Sequence, residues 1–389
     1  MPARTAVRGR FFLLRLAVLV LLVLGQAFPF FPRAGEVGPE VTVRLAAAGD
    51  LILHTPILAA AWDPAISAYD FRPIFAPVRP FLEEADFALA VLETTLGGPE
   101  RGYTGYPRFN SPAEIAEALR WAGIDLVFTA HNHSLDRGLE GVFRTLDHLD
   151  RAGLAHVGTA RTPDPAARVV LREINGVRFA FLAYTTSTNG IPVPAGREWA
   201  VNLYSPAGAA ADVALARRLG AEIIVCALHA GIEYRREPSA EQRAIVEELL
   251  DLGVDAVLGS HPHVIEPLAV RLHSTPDGVE RPVFVAYSLG NFLSNQRWRY
   301  SDCGLLLTLE WTKPHGGRPR LSRVLWRVVW VHKYYAGGRP AFRLLPVDGR
   351  AASTYAADPL LGEADRARLL QAWEETKALL GPDDELVLE

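Results

Sequence analysis

"FTAHNHSLDRG", residues 128–138, closes a short apolar run, 124–128, that reads as a buried strand. The strand gives way at once to two imidazoles and an amide: His131, Asn132 and His133. In open α/β sheets the sites lie outside the carboxyl ends of the strands, so this placement asks to be read as chemistry. The flanks support a strand embedded between helices. Ser111-Pro112-Ala113-Glu114 opens a helix to about Ala122, with Ser as N-cap, Pro at N1 and Glu at N3 closing a capping box. Gly123 ends it. Residues 139–151 form a second amphipathic helix, followed by Gly153 and a strand at 155–158.

The same grammar recurs along the chain. A strand at 41–48 ends in Gly49-Asp50, and one at 87–92 ends in Glu93, with 75–85 helical between them despite Pro77 and Pro80. Strands 167–174 and 177–184 flank Asn175-Gly176, a hairpin signal. A helix at 207–219 leads to a strand at 222–228 ending in His229. A helix at 240–252 leads to a strand at 256–258 ending in Gly259-Ser260-His261. Strands at 282–288, 303–311 and 321–331 and a terminal helix at 363–380 follow. The alternation predicts a layered α/β fold, with the later strands forming a second sheet or an antiparallel flank. Five strand ends carry polar, metal-capable groups: Asp50, Glu93, Asn132 with His133, His229, and His261 with His263. Their convergence requires only that the five strands be neighbours in one sheet.

Composition narrows the function. The 389 residues carry 40 basic and 44 acidic side chains, net −4, so no basic field exists to attract nucleic acid. Two cysteines, Cys226 and Cys303, exclude a disulfide framework and a cysteine-rich zinc module and leave one disulfide open. Arg4, Arg8 and Arg10 precede an apolar run, 11–24, broken only by Arg15, and Gly25-Gln26-Ala27 follows. These are the basic, apolar and small-x-small parts of a secretory signal. The run is short for a spanning helix of about 20 residues, and 28–31 extend it toward an uncleaved anchor. We expect a signal peptide or membrane anchor at 1–31, a linker at 32–40, an exported domain at 41–350 and a C-terminal helical extension at 351–389.

The donors at the five strand ends are oxygen and nitrogen, with no thiolate. That set suits one or two divalent ions such as manganese, iron or zinc. Asp50 or Glu93 can bridge a pair of ions, and two ions about 3.5–4 Å apart can clamp a phosphoryl oxygen. His133, beside Asn132, is then free for proton transfer. Trp62, Trp298 and Trp311 are expected in the core, with a polymer-binding surface as the alternative, Leu135 beneath the 128–138 loop, and Gly138 and Gly259 where the backbone needs glycine.

Gly49-Asp50, Leu92-Glu93-Thr94, "AHNHSLDRG", "YTTSTNG" (184–190), "HAGIEY" (229–234), "GVDAVLGSHPHVIEP" (253–267) and "YSLGNF" (287–292) occur in this order. Over about 42–300 the chain resembles the bacterial capsule synthesis family, the CapA-type proteins of poly-γ-glutamate biosynthesis, which are similar to calcineurin-like metallophosphoesterases. The resemblance implies a β-sandwich flanked by helices (α/β/β/α) with its site at the carboxyl ends of strands. It implies metal ligands at Asp50, Glu93, Asn132, His229, His261 and His263, and leaving-group protonation by His133. Asp136 orients the loop or His133 by hydrogen bonding; Glu233 does the same or touches substrate. Asn189 and Asn291, in two of the matching loops, are candidates for substrate contact or support. Two departures stand out. His131 occupies the place of a common first asparagine and has no assigned role. Ile52 occupies the place of a histidine ligand, for which His54, two residues on, is a candidate substitute.

The function implied is that of an exported phosphoesterase-like hydrolase of capsule, poly-γ-glutamate or other envelope polymer biosynthesis. In it a metal-bound hydroxide attacks a phosphoester or related bond. Its substrate is an envelope polymer or a phosphorylated small molecule, and its partners include membrane-bound synthase or export subunits. The rival readings are a non-catalytic polymer-handling or assembly component and an amide hydrolase acting on the polymer.

Overall fold

The computed structural model describes residues 40–274, 278–381 and 385–388. The expected leader and nearly all of the linker lie outside the described residues. Among the described residues no helix is long and apolar enough to cross a membrane.

β1 (Val41–Leu51) leads to α1 (Thr55–Ala61), a small hairpin of β2 (Trp62–Asp63) and β3 (Ala68–Tyr69), and two short helices, α2 (Arg72–Phe75) and α3 (Arg79–Glu83). Then come β4 (Phe87–Leu92), α4 (Glu114–Trp121), β5 (Leu126–Phe128), α5 (Gly138–Ala152) and β6 (Ala155–Val157). The hairpin of β7 (Val170–Ile174) and β8 (Val177–Thr185) opens a second series. It continues with α6 (Pro206–Arg218), β9 (Ile223–His229), α7 (Ala240–Asp251), β10 (Ala256–Ser260), β11 (Leu268–Ser274) and β12 (Glu280–Ala286). The chain returns through β13 (Asn291–Leu293), β14 (Cys303–Lys313), β15 (Arg320–Ala336) and β16 (Arg339–Val347), and closes with α8 (Ala351–Thr354), α9 (Glu363–Leu380) and β17 (Glu385–Val387).

One sheet runs β16-β15-β14-β1-β4-β5-β6, with β13 on β1 and β17 on β15; the other runs β11-β12-β10-β9-β8-β7. The alternation of side chains assigns each face. Val43, Leu45 and Ala47 of β1 join Leu89 and Val91 of β4 in a core shared with Phe179 and Phe181 of β8 and Val225 of β9. Ala46 and Ala48 point the other way, toward Ile115 and Leu119 of α4 and Leu146 of α5. Ile224 and Cys226 of β9 pack against Val213 of α6 and Leu249 of α7. The layers are therefore helix, sheet, sheet, helix. Trp311 anchors the inter-sheet core edge-on to Phe179, 5.6 Å away. A buried aromatic of this kind removes roughly 150–250 Å² from water, an upper-bound ~4–6 kcal/mol at about 25 cal/mol per Å².

Several expectations need correction. The five strand ends belong to two facing sheets, three to the first and two to the second. The later strands do two jobs, because β14–β16 flank the first sheet while β12 completes the second. The helix at 75–85 is two short pieces that break at Ala76–Val78, next to Pro77 and Pro80. Ser111 caps nothing: α4 starts with Ala113 as N-cap, and the Ser111 hydroxyl is 2.7 Å from that of Thr94. Trp62 and Trp298 are exposed, leaving only Trp311 of the three in the core. Cys226 and Cys303 are buried free thiols. Asp302, unremarkable in sequence, anchors α9 through Arg368 at 2.6 Å.

A bulge decides where Asp50 points. Along β1, Ala47 pairs with Leu89 and Ala48 with Ala90, but the next pair is Asp50 with Val91, so Gly49 is the extra residue. Regular alternation would send Asp50 outward with Ala46 and Ala48. The bulge turns it to the inner face with Val91, toward the second sheet. Gly49 has no alternative, because a Cβ there would lie 2.0 Å from the Gly290 carbonyl oxygen, which accepts from the Asp50 amide at 3.0 Å. Gly259 is equally constrained, with a Cβ falling 1.8 Å from Tyr287 O. Gly49→Ala and Gly259→Ala should each cost about 1–3 kcal/mol or more, read from denaturant midpoints. Unchanged midpoints would show that the 287–291 turn yields freely.

The α7 end holds a buried acid. Ser239 and Gln242 form a capping box, and the Gln242 amide donates to Glu266 Oε2 at 2.8 Å and Tyr287 O at 2.7 Å. Burial pushes the Glu266 carboxyl up to about 7, opposed by the Gln242 hydrogen bond and the Arg243 charge. A raised carboxyl stabilises the fold below its unfolded value and loses that contribution as pH rises through its folded value. Wild type should therefore lose roughly 2–3 kcal/mol relative to Glu266→Gln between about pH 4.5 and 8. Parallel stability profiles of the two proteins would contradict this.

Candidate metal centre

Asp50 is the penultimate residue of β1 and Glu93 follows β4, side by side in the first sheet, with the Glu93 amide donating to Leu51 O at 3.1 Å. His229 ends β9 in the second sheet. His261 and His263 follow β10 on a turn in which both adopt positive φ, 98° and 59°. That conformation is uncommon for non-glycine residues and gathers at functional sites. Tyr234 N holds the turn at Pro262 O (2.8 Å), and Asn291 Nδ2 holds it at His263 O (3.2 Å). Asn291 thus supports the loop that carries the histidines.

The five side chains meet between the sheets. His263 Nδ1 is 3.3 Å from Asp50 Oδ2 and 3.8 Å from Glu93 Oε2. His229 Nε2 is 3.6 Å from Glu93 Oε1. Two groups of donors have the spacing to hold an ion: Asp50, Glu93 and His229, and Glu93, His261 and His263. Glu93 belongs to both. Asp50 and Glu93 are fully buried, and Asp50 Oδ1 and both Glu93 oxygens have no hydrogen-bond partner. Among the described residues their ion-pair contacts are to imidazoles alone. Burial, then the Asp50 charge, pushes the Glu93 carboxyl well above its usual range. Burial, then the neighbouring imidazoles, pushes His229 well below its usual value and His261 down to about 4. Imidazoles facing three carboxylate oxygens that lack hydrogen-bond partners are a donor set that fits a cation.

The orienting bonds fit that reading. His229 Nδ1 lies 2.8 Å from Ser260 Oγ, which leaves Nε2 facing the carboxylates. Asn132 Oδ1 is 3.0 Å from the same Nε2, and its amide nitrogen donates to Asn189 Oδ1 at 3.2 Å. The imidazole of His131 is buried beside His229, ring centroids 6.1 Å apart, with Nδ1 partnerless, outside both groups.

The loop that opened the sequence is pinned. Ser134 Oγ accepts from His131 N at 2.9 Å and donates to Thr129 O at 2.8 Å, and Leu135 is buried beneath. His133 Nδ1 lies 2.8 Å from Asp136 Oδ2, which also accepts from Phe109 N at 2.6 Å. His133 Nε2 faces Asn189 Nδ2 at 3.3 Å, and Phe109 packs edge-on to the ring.

A cavity of about 780 Å³ opens over this group and touches Glu93, His133 and His263. His54 lies in its wall with Ile52, receives the Asn295 amide on Nδ1 at 3.3 Å, and is held near pKa 4 chiefly by burial. It stands outside both donor groups, since β1 ends at Leu51 and His54 serves as N-cap residue of α1. Glu233 also lines the cavity and raises the Glu93 carboxyl from a distance. The sequence reading missed Tyr106, Phe109 and Arg297 in the wall. None lies at a strand end or in a motif that carries the family resemblance.

Residues 44–296 match the family described as bacterial capsule synthesis protein PGA_cap. The capsule biosynthesis protein CapA of Bacillus anthracis is 26% identical over 249 residues, covering 62% of this chain and 58% of that protein. The PGA biosynthesis protein CapA of Bacillus subtilis is 26% identical over 255 residues, covering 63% of each. The chain therefore spans about three-fifths of the length of these relatives. Among solved structures, the calcineurin-like phosphoesterase YfkN of Bacillus subtilis aligns over 87% of this chain and 98% of its own, at 14% identity and TM-score 0.42. The NAD nucleotidase of Haemophilus influenzae aligns over 87% of this chain and 60% of its own, at 15% identity and TM-score 0.46. The matched span runs from β1 to just past β13 and takes in every converging residue described above; the chain belongs to the bacterial capsule synthesis protein PGA_cap family.

Proposed function

We propose that the protein is an exported, metal-dependent hydrolase of a phosphoester or related bond, acting in capsule, poly-γ-glutamate or other envelope polymer biosynthesis. One observation carries the reading. Two fully buried carboxylates, three of their oxygens partnerless, face three imidazoles on the floor of an open cavity. Asp50, Glu93 and His229 would hold one ion, with Asn132 beside them, and Glu93, His261 and His263 a second. Divalent ions there would supply Lewis acidity toward a phosphoryl oxygen and acidify a water.

The chain's own groups do the rest. Asp136 accepts from His133 Nδ1 and orients the ring so that Nε2 can pass a proton to a leaving oxygen. Asn189 and Phe109 fix the ring. A polymer-handling reading draws support from the exposed aromatics Tyr106, Tyr234 and Trp298 along the same cavity. Association with membrane-bound synthase or export subunits belongs to either reading.

Full-length protein equilibrated with manganese or zinc and then desalted should retain up to two ions per chain by elemental analysis. Glu93→Gln should lower both occupancies, whereas His229→Ala and His261→Ala should each affect one. Equal ion contents in all four proteins would rule out the donor groups.

In turnover of nitrophenyl phosphate esters and poly-γ-glutamate by the loaded protein, His133→Ala should lower kcat by about 10²–10⁴. Asp136→Asn should have a smaller effect. Turnover insensitive to His133→Ala would refute its role. No turnover of either substrate, with metal-dependent retention of the polymer, would favour the polymer-handling reading.

A further inference from the structure

Arg297 in the cavity wall and Lys333, behind the wall residue Asn295, have no acid bonded to them among the described residues. Arg297 lines the cavity, and its Nη1 donates only to Gln296 O, at 3.0 Å. Lys333, on β15, donates to Asn295 Oδ1 at 2.9 Å. Asn295 lines the same cavity. Both cations lie 5.8 Å from the centroid of one ring, Phe342. Among the described residues their hydrogen bonds all go to neutral oxygens.

The carboxylate whose charge reaches Arg297 is Asp302. It is already engaged by Arg368 at 2.6 and 2.9 Å and by Trp330 Nε1 at 3.0 Å. Like charges brought together in this way repel unless an anion joins them. The repulsion is felt locally: after burial, the Arg297 charge lowers the Lys333 ammonium.

We propose that Arg297 and Lys333 form a subsite for a second oxygen anion, a carboxylate or a phosphate, carried by the molecule whose reacting bond enters the cavity. The inference builds on reading the cavity as the reaction site. The chemistry of the two ends differs. The floor, with Asp50 and Glu93, repels an anion until a cation is added. Arg297 in the wall, with Lys333 behind it, accepts one unaided. Guanidinium and ammonium both bind carboxylate and phosphate oxygens by charge-assisted hydrogen bonds. The exposed Trp298 beside Arg297 gives the chain between the two anions an apolar surface to lie on. A substrate with anions at both ends is thus favoured over one with a single anion.

The test is calorimetric titration of metal-free, full-length protein at low salt with two probes, γ-linked pentaglutamate and pyrophosphate. The first represents a carboxylate source and the second a phosphate source. At least one should bind, and the tighter of the two identifies the source. Arg297→Gln should weaken it about tenfold, and Arg297→Gln with Lys333→Gln further. Arg297→Lys should largely restore binding, and thermal melts should show each variant folded. Failure of both probes to bind wild type, or undiminished binding by the folded double variant, overturns the proposal. If no substrate is turned over while probe binding still depends on Arg297, the hydrolase reading falls and the subsite stands. Turnover without that dependence does the reverse.

Discussion

Two carboxylates, Asp50 and Glu93, are buried side by side and, among the described residues, have no lysine or arginine paired to them. Burying even one such charge without compensation is costly. A fold that buries two, and sets against them His229 and His261, whose protonation burial disfavours, has the donor set of a cation site. Much else follows from that constraint. The bulge at Gly49 turns Asp50 inward. Ser260 turns His229. The positive-φ turn after β10 brings His261 and His263 across from the second sheet.

The sequence disclosed the ingredients better than their arrangement. Each strand end was legible because a polar residue interrupts an apolar run, a local event. The Asn175-Gly176 hairpin and the helices at 138–152 and 363–380 were legible for the same reason. The direction in which Asp50 points was not. It depends on a bulge whose cause, the Gly290 carbonyl, lies 240 positions away in the chain. Ser111 looked like an N-cap, but Thr94, just after Glu93, claims its hydroxyl. Trp62 and Trp298 looked like core because composition says nothing about which side of a loop faces water. β11, at a sheet edge, escaped notice because most of its residues are half-exposed and its apolar contrast is weak.

Assigning the strand ends to one sheet was the largest error in arrangement, and its correction makes the site more intelligible. A single sheet presents its strand ends in a row about 4.8 Å apart, too spread for five side chains to meet. Two sheets packed face to face bring their rows together from opposite sides. His229 and His263 can then come within 4 Å of Asp50 and Glu93 without long side chains. The inter-sheet core of Phe179, Phe181 and Trp311 sets the spacing that makes this possible.

That shared construction gives a bound ion a mechanical meaning as well as a chemical one. Asp50 and Glu93 belong to one layer, and His229, His261 and His263 to the other. A cation held by both would rivet the sandwich on the floor of the cavity, where the apolar core runs out. Its binding energy would add to the cohesion of the layers, so that separating the sheets and releasing the ion become a single event. Chelation would then loosen this end of the sandwich first and leave the Trp311 end closed.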